Sequence, residues 1–495
     1  MKRSFVRTLC VLLALLMIAC SGGTASSEAG QEDAGIAVPT AEEGAQGETE
    51  EAAETEPAYA PLPETDLDGW EMRFYNYDDS WLSWVVNILV PEELNGDTLN
   101  DAFWNRNNRI EETYGCVIAE TAERNPADKL PSLVKSGDAG AEVVMLYDET
   151  IVNQYLSGNL RTWDALPYVD FENACWSWDA TRTFSSGGGV YAATGSFSLG
   201  QSTRSFIMMF NKNMYADLGM TEDLYQTVRD GQWTLDRLLS CEERAILDLN
   251  GDGVMDMEDR YGCAGAIKLY FGSLVTGAGI KYIDIDENGG AYFAIPGNEY
   301  ALTVMSDILS RHSGNHIFEQ VADNIHDGSS TAQTIFMSNR TLFQGSSMKA
   351  VSNYRDMESD IGILPFPKYS EEQSAYYALT SGGTMAVLPV TLPEDSFANV
   401  GLLLEALCRD SSESIIPVYK EILLKSRYAR DAGSADMLDI IFASAVYDIG
   451  LSAIPSDTYY KYMEVYRNGT DTFASLTQSI TKLVNKQLEK LAKTD

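Results

Sequence analysis

The chain has 495 residues, of which 45% are hydrophobic, and a formal net charge of -38. A surface this acidic repels phosphate backbones, and no basic stripe stands out along the sequence, so nucleic acid is excluded as an expected partner. The length is sufficient for two domains.

The first twenty residues have the pattern of a secretory signal peptide. Basic residues precede an apolar run from Leu9 to Ile18, which is too short to remain as a membrane-spanning helix. Residues 16–20 resemble a bacterial lipobox, with Met17 where leucine is commoner. We therefore expect cleavage of residues 1–19, acylation of Cys20, and anchoring in the cell membrane on its extracellular side. The alternative is an ordinary cleaved signal with an incidental cysteine.

Residues 20–66 differ in composition from the rest of the chain. They are rich in Gly, Ala, Ser, Thr and Glu and contain one aromatic residue, Tyr59. Such a segment cannot bury enough apolar surface to offset the entropy lost on ordering. We expect an acidic, flexible tether that holds the folded part away from the membrane.

Strand and helix patterns alternate where the folded region begins. The sequence predicts strands over residues 72–77, 116–119 and 142–147, separated by helices over residues 99–114 and 131–136. In the first helix, Thr98 with Asp101 predicts a capping box, and Gly115 predicts the end. This alternation indicates an α/β fold with a mostly parallel, doubly wound sheet.

Two of the predicted strands end in an aromatic residue followed by an aspartate. These pairs are Tyr77 with Asp78 and Tyr147 with Asp148. Doubly wound sheets bind ligands beyond the carboxyl ends of their strands, so all four residues are candidate ligand contacts. The alternative is turn and capping chemistry. Further on, Trp233 precedes Thr234, a predicted helix N-cap, and is assigned to packing.

Residues 248–259 match a twelve-residue calcium-binding loop. Gly253 stands at the sharp turn, and oxygen-bearing groups recur at the spacing that lets one short loop surround a single Ca2+ ion. The expected ligands are Asp248, Asn250, Asp252, the carbonyl of Val254, Asp256 and Asp259. Asp259 replaces the commoner glutamate, and its shorter side chain weakens the expectation of bidentate coordination. We expect a structural Ca2+ site; the alternative is an acidic turn without metal.

Five cysteines lie beyond Cys20, and none is in a CxxC or Cys/His spacing. They are Cys116, Cys175, Cys241, Cys263 and Cys408. The odd number argues against a complete disulfide framework, and the sequence offers little for a zinc site. Pairing of Cys241 with Cys263 is one interpretation, and buried thiols are the other.

Several short motifs occur in a characteristic order along the chain. They span residues 95–102, 146–148, 210–212, 231–234, 259–262, 429–431 and 437–441. Together they resemble the extracellular solute-binding proteins (family 1) of carbohydrate ABC transporters, and in particular a lipoprotein subgroup. The resemblance covers nearly all of residues 67–450.

This resemblance implies a two-lobed, periplasmic-binding-protein-like fold of type II. Each lobe would be a doubly wound sheet, and hinge crossovers near residues 191–203 and 376–387 would join the lobes around a ligand. The implied first lobe comprises residues 67–195 and 377–410. The implied second lobe comprises residues 196–376 and 411–495, with the calcium loop and an amphipathic C-terminal helix.

A sugar site needs aromatic rings for apolar C–H faces and polar groups for hydroxyls, because a buried unpaired hydroxyl costs about 1 to 3 kcal/mol. The family often carries a tryptophan pair before the first crossover. By this resemblance Trp176, and after it Trp178, are candidate sugar contacts; packing in the core is the alternative for both. Arg204 follows the crossover and is expected either to reach the cleft or to pair with a surface carboxylate.

The resemblance implies a monomeric, non-enzymatic protein that captures a carbohydrate, expected to be an oligosaccharide. It would deliver this ligand to the permease subunits of an ABC transporter. Two alternatives stay open: a ligand-binding receptor for a membrane sensor, and a secreted glycoside hydrolase that uses two carboxylates. No serine-hydrolase, zinc-protease or phosphate-loop motif was found.

Overall fold

The computed structural model describes residues 59–493, apart from residues 138–139, 257, 312–316, 321–330, 426–431 and 453–455. The signal peptide, Cys20 and the tether as far as residue 58 lie outside the described residues. Within the described part, no helix combines the length and the apolar character needed to cross a membrane.

Helices and strands alternate at the start of this part of the chain, and runs of helices follow later. The first elements are β1 (Glu71–Tyr77), α1 (Thr98–Tyr114), β2 (Val117–Glu123), α2 (Pro126–Ser136), β3 (Val143–Tyr147), α3 (Asp148–Leu156), β4 (Leu160–Arg161), α4 (Trp178–Thr183), β5 (Ser185–Ser186) and β6 (Gly189–Val190). The next are β7 (Phe206–Asn211), α5 (Lys212–Asp217), α6 (Leu224–Arg229), α7 (Leu235–Ala245), β8 (Tyr261–Ala266), α8 (Ile267–Gly277), β9 (Ile283–Ile285), β10 (Ala291–Phe293), α9 (Glu299–Arg311), β11 (Ile317–Gln320), α10 (Thr331–Met337), β12 (Thr341–Ser347) and β13 (Ile361–Leu364). The last are β14 (Ala378–Leu379), β15 (Thr384–Pro389), α11 (Phe397–Lys425), α12 (Ala432–Ala443), β16 (Ala445–Val446), α13 (Ile449–Ser452), α14 (Ser456–Asn468) and α15 (Phe473–Leu491).

Two five-stranded sheets organise the fold, and each defines one lobe. The first has the order β2-β1-β3-β15-β4, and the second has the order β11-β8-β12-β7-β13. In the first sheet β1 is parallel to β2 and β3, whereas β15 is antiparallel to β3 and β4. In the second, β8 is parallel to β11 and β12, and β7 is antiparallel to β12 and β13. The predicted two-lobed α/β fold is confirmed.

Local chemistry shifts several predicted boundaries. The N-cap of α1 is Asp97, not Thr98; its carboxylate accepts from the backbone N–H groups of Leu99 and Asn100. The predicted second helix begins earlier, at Pro126. Pro131 lies inside α2 and has no N–H to donate back along the helix, and the Gln154 side chain donates to the carbonyl of Ala127 at 2.8 Å instead.

Other boundaries follow or depart from the sequence pattern. Gly115 ends α1 in the left-handed conformation, as predicted. The side chain of Thr234 caps α7, and Trp233 is fully buried, with its Nε1 donating to the carbonyl of Pro365 at 2.9 Å. The predicted lobe boundary at residue 410 falls inside the continuous helix α11.

The five cysteines beyond Cys20 are all buried free thiols, so the proposed pairing of Cys241 with Cys263 is not formed. Burial raises the pKa of the Cys241 thiol to about 11. These cysteines therefore act as small apolar core residues.

Two segments that were predicted as crossovers run side by side. Antiparallel bridges join Ala193 to Ala386 and Ser205 to Thr380. The segments touch most closely between Gly200 and Gly383, where a Cβ on Gly383 would lie 2.2 Å from the carbonyl oxygen of Gly200. Only glycine allows backbones to approach so closely. A third segment joins them, because β14 pairs with β16.

Asp148, at the start of α3, ties the end of β3 to both crossovers. Its side chain is 1% exposed, and its Oδ2 accepts from the backbone N–H of Gly382 at 2.8 Å and from Nε2 of Gln201 at 3.5 Å. Its own N–H donates to the carbonyl of Gly383 at 3.0 Å. Burial, together with the charge of the neighbouring Glu149, raises the pKa of this carboxyl to about 7.

This raised pKa predicts a specific dependence of stability on pH. The folded state holds the Asp148 proton more tightly than the unfolded chain does. The resulting stabilisation is complete below the ordinary carboxyl pKa of 3.8 and is lost as the pH rises towards the folded value of about 7. From about pH 5 to about pH 8, we expect the unfolding free energy of the wild type to fall by roughly 1 to 3 kcal/mol more than that of Asp148→Asn.

Denaturant unfolding across this pH range measures the difference. Asp448→Asn is the matched control. It removes another buried carboxyl, whose pKa burial raises to about 6, and it keeps the contribution of Asp148 to the pH dependence of stability. Parallel pH profiles for the wild type and Asp148→Asn would contradict the prediction.

Candidate functional site

Four aromatic side chains lie together beyond the carboxyl ends of β1 and β3; we call them the aromatic cluster. Tyr77 ends β1, Tyr147 ends β3, and Trp81 and Trp84 follow β1 in the loop that leads to α1. The ring centroid of Trp81 is 5.6 Å from those of Tyr77 and Tyr147 and 5.9 Å from that of Trp84. Trp81, Trp84 and Tyr147 are only partly buried, so their rings keep surface on which a ligand can stack.

The loop that carries the two tryptophans is held by the crossover and by the second lobe. Nε1 of Trp84 donates to the carbonyl of Gly382 at 3.1 Å. The ammonium of Lys349, which directly follows β12 in a 3-10 helix, donates to the carbonyls of Ser83 and Val85. The position of the aromatic cluster therefore depends on both lobes.

The four predicted strand-end residues have different roles. Tyr147 is in the aromatic cluster and is partly exposed. Tyr77 is hydrogen-bonded to it, since the hydroxyl of Tyr77 accepts from the backbone N–H of Tyr147 at 3.3 Å. Asp78 makes a turn and accepts from the backbone and hydroxyl of Ser80. Asp148 is buried at the crossovers. For Asp78 the structure favours the alternative of turn chemistry, whereas Asp148 makes long-range hydrogen bonds to the crossovers, a role that neither interpretation described.

Arg204 reaches the same region from the first crossover. Its side chain is buried, and its Nε donates to the carbonyl of Ser381 at 3.1 Å. The guanidinium carbon lies 5.1 Å from the ring centroid of Phe206. The positive charge of Arg204 acts on Tyr147, whose pKa is nonetheless raised well above its usual value by burial. Of the two roles expected for Arg204, pairing with a surface carboxylate is not made with any described residue; contact with a ligand stays a prediction.

Trp176 is a core residue, which corrects the expectation that it leads the sugar contacts. Its side chain is 5% exposed, and its ring packs against Phe171 and Phe197 at centroid distances of 5.3 and 5.8 Å. Nε1 donates to the carboxylate of Glu405 at 2.7 Å. Its polar and apolar surfaces are both satisfied inside the first lobe.

Trp178 is 62% exposed, but it lies apart from the aromatic cluster. It lines an open groove of about 610 Å³ together with Arg182 and the turn between β9 and β10, and no member of the aromatic cluster lines this groove. An ion pair of 3.5 Å between Arg182 and Asp284 crosses the groove. Trp178 therefore belongs to this groove and not to the aromatic cluster.

The predicted calcium loop forms a series of tight turns. The carboxylate of Asp248 accepts from the backbone N–H groups of Gly251 and Gly253 at 2.6 and 2.8 Å. Asp259 is buried and accepts from the N–H groups of Leu249 and Asp256, both at 2.8 Å. In the described part of the chain, which omits residue 257, no three His, Cys, Asp or Glu side chains converge as a metal-binding group.

Four residues of this region were not predicted: Trp81, Trp84, Lys349 and Tyr460. The two tryptophans carried a usable signal, because they follow the end of a predicted strand at once. Lys349 and Tyr460 lie far along the chain from the aromatic cluster and carried no local signal. Tyr460, in α14, is partly buried and lies within electrostatic range of Tyr147.

No family model and no curated protein sequence matches the chain. Solved structures do match over most of its length. A cyclo/maltodextrin-binding protein complexed with maltotetraose has a TM-score of 0.54 and 14% identity over 89% of this chain and 97% of its own. UspC of M. tuberculosis has a TM-score of 0.53 and 13% identity over 86% of this chain and all of its own (100%).

A third structure is the ABC substrate-binding protein Lmo0181 of Listeria monocytogenes in complex with cycloalternan. Its TM-score is 0.50, with 12% identity over 86% of this chain and 99% of its own. At such identities the similarity concerns the fold. The chain has the two-lobed α/β fold of these structures.

Proposed function

We propose that this protein captures an oligosaccharide beside the aromatic cluster, between its two lobes, and delivers it uncleaved to the permease of an ABC transporter. The aromatic cluster at the carboxyl ends of β1 and β3 carries the proposal. Two of the structurally similar proteins were solved with maltotetraose and with cycloalternan, which supports a carbohydrate as the ligand class.

The chemistry of the region suits a sugar. Trp81, Trp84 and Tyr147 present rings for the apolar faces of pyranoses. Arg204 and Lys349 supply N–H donors for oxygen atoms at the rim of the ligand. Lys349 of the second lobe contacts the loop of the first lobe. A ligand beside the aromatic cluster would therefore be enclosed between the two lobes and shielded from water.

Two carboxylates near the aromatic cluster, those of Asp78 and Asp148, are engaged in hydrogen bonds within the protein, which supports binding without hydrolysis. A glycoside hydrolase needs two carboxyl groups on either side of the scissile bond. Asp148 is buried against Gly382 and Gln201, and Asp78 is engaged with Ser80. Neither aspartate is placed to act as one of such a pair.

The first experiment is a thermal-shift screen of the purified protein against mono- and oligosaccharides. A ligand at 100 times its dissociation constant adds about 2.7 kcal/mol to the stability of the folded state. For the oligosaccharide that stabilises most, Trp81→Ala should lower the affinity measured by calorimetry by roughly tenfold or more, because a stacking surface is lost.

Trp178→Ala is the matched control, since this tryptophan is exposed in the separate groove, and it should bind with unchanged affinity. Incubation of the wild type with the same oligosaccharide should yield no cleaved product. Hydrolysis at an enzyme-like rate, or equal loss of affinity in both tryptophan variants, would contradict the proposal.

We also propose that Cys20 is lipidated and anchors the protein on the extracellular face of the cell membrane. Support comes from the lipobox-like residues 16–20 and the tether-like composition that follows. Mass spectrometry of the mature N-terminus should find acylated Cys20, and Cys20→Ser should shift the protein from the membrane fraction to the medium. Cys10→Ser, within the expected signal peptide, should leave both results unchanged. An unmodified mature N-terminus would refute the anchor.

A structural Ca2+ ion in the loop of residues 248–259 is a further part of the proposal. Its expected ligands are those that the spacing indicates, and without the ion four carboxylates would crowd one loop. Chelation should therefore lower the melting temperature and added Ca2+ should restore it, whereas Mg2+ should substitute poorly. Asp252→Ala should abolish the response to Ca2+.

Asp286→Ala is the control for the calcium experiment, because Asp286 lies in another acidic turn, where it accepts from the backbone of Asn288 and Gly290. This variant should keep the full response to Ca2+. If metal analysis finds no calcium in carefully prepared protein and a chelator leaves the melting curve unchanged, the loop is an acidic turn without metal.

A further inference from the structure

Arg204 is a buried cation that no carboxylate neutralises by direct contact. It is 8% exposed, and its Nε is engaged with the carbonyl of Ser381. Among the residues that the structure describes, neither terminal nitrogen has a hydrogen-bond or ion-pair partner, yet neither is sealed from solvent. These two nitrogens carry four of the five N–H donors of a guanidinium, so most of its hydrogen-bonding capacity is not used by the described residues.

The guanidinium is held firmly in place. One face lies against Phe206, and Gly382 lies close by, since a Cβ on that glycine would come within 3.1 Å of a terminal nitrogen. With Nε also fixed, the remaining nitrogens form a preorganised fork. Such a fork matches the two oxygens of a carboxylate.

A second cation, Lys349, lies near Arg204. Burial lowers the pKa of Lys349, and the charge of Arg204 lowers it further, while that of Asp79 raises it. Its ammonium donates to the carbonyls of Ser83 and Val85, which leaves one of its three N–H donors. Within the described part of the chain, Lys349 forms no ion pair.

Nearby carboxylates do not compensate these two cations by contact. Glu149 and Asp148 act electrostatically on Arg204, and Asp79 acts on Lys349, but none forms an ion pair with them among the described residues. Asp148 is committed to Gly382 and Gln201. In a chain of net charge -38, these two cations without an ion-pair partner lie beside the aromatic cluster, and a ligand that covers them would remove their remaining contact with water.

We propose that the oligosaccharide bound at this site contains a uronic acid, whose carboxylate pairs with Arg204 while its ring stacks on the aromatic cluster. The inference rests on the proposed function and defines its ligand class. A neutral sugar would leave the desolvated guanidinium with hydroxyl partners alone, whereas a carboxylate gives two charge-assisted hydrogen bonds.

Calorimetry with matched pairs of oligosaccharides tests this proposal. Each pair has the same length and linkage, one member built of uronic acids and the other of the corresponding hexoses: galacturonate against galactose trimers, mannuronate against mannose trimers, and glucuronate-containing against glucose trimers. We expect at least one acidic member to bind tenfold or more tightly than its neutral partner, and added salt to reduce this preference.

Arg204→Gln should weaken binding of the acidic member at least tenfold and change binding of its neutral partner less. Arg204→Lys keeps the charge but loses the fork. Its affinity for the acidic member should therefore lie between those of the wild type and Arg204→Gln. Arg182→Gln, in the separate groove of Trp178, is the control and should bind like the wild type. Since the comparison within each pair uses wild-type protein, the test does not depend on the folding of any variant.

Each result decides a different point. If a neutral member binds as tightly as its acidic partner or more tightly, the uronic-acid proposal is overturned and the carbohydrate-binding function stands. If no member of any pair binds, and the wider carbohydrate screen is also negative, the proposed function fails and this inference fails with it.

Discussion

The backbone of Ser381, Gly382 and Gly383 is the point on which the lobes, the crossovers and the aromatic cluster all depend. Gly382 donates to Asp148 and accepts from Trp84, Ser381 accepts from Arg204, and Gly383 accepts from the backbone of Asp148. Hydrogen bonds to this backbone segment thus connect the end of β3, the tryptophan loop and the first crossover. Gly382 has a φ of 84°, a conformation that side-chain-bearing residues rarely adopt, so this junction requires glycine.

The electrostatics of the site follow from this junction. The N–H of Gly382 engages the buried carboxyl of Asp148, which acts electrostatically on Arg204, and the neutral backbone carbonyl of Ser381 positions the guanidinium. The positive charge is therefore fixed without being neutralised. In a strongly acidic protein, such an arrangement concentrates positive potential at one place, next to the rings of Trp81 and Tyr147.

The sequence was sufficient for features that local patterns control. The apolar runs before Tyr77 and Tyr147 gave two central strands, and the glycine at residue 115 gave the end of α1. The capping residue of α1 was wrong by one position because Asp97 and Thr98 are both good caps, and the choice between them depends on local geometry. For Asp78 and Asp148, local patterns fitted both a ligand contact and a capping role.

Features that depend on contacts between residues far apart along the chain could not be predicted from the sequence. Trp176 belongs to the core because Glu405 satisfies its indole nitrogen, and no local pattern links these two residues. The arrangement of the two lobes brings Lys349 to the loop of Trp81 and Trp84, and it brings Tyr460 within electrostatic range of Tyr147. Trp81 and Trp84 could have been predicted from their position after a strand, but the family resemblance favoured Trp176 and Trp178 instead.

The hydrogen bonds that Lys349 donates to the carbonyls of Ser83 and Val85 have a kinetic consequence. The loop with Trp81 and Trp84 is held by the opposite lobe, so separation of the lobes would also release the surface on which the proposed oligosaccharide would stack. Its escape would then require opening of the lobes and loss of the stacking surface together. Differences in affinity among ligands should accordingly reside in residence time, with similar rates of association.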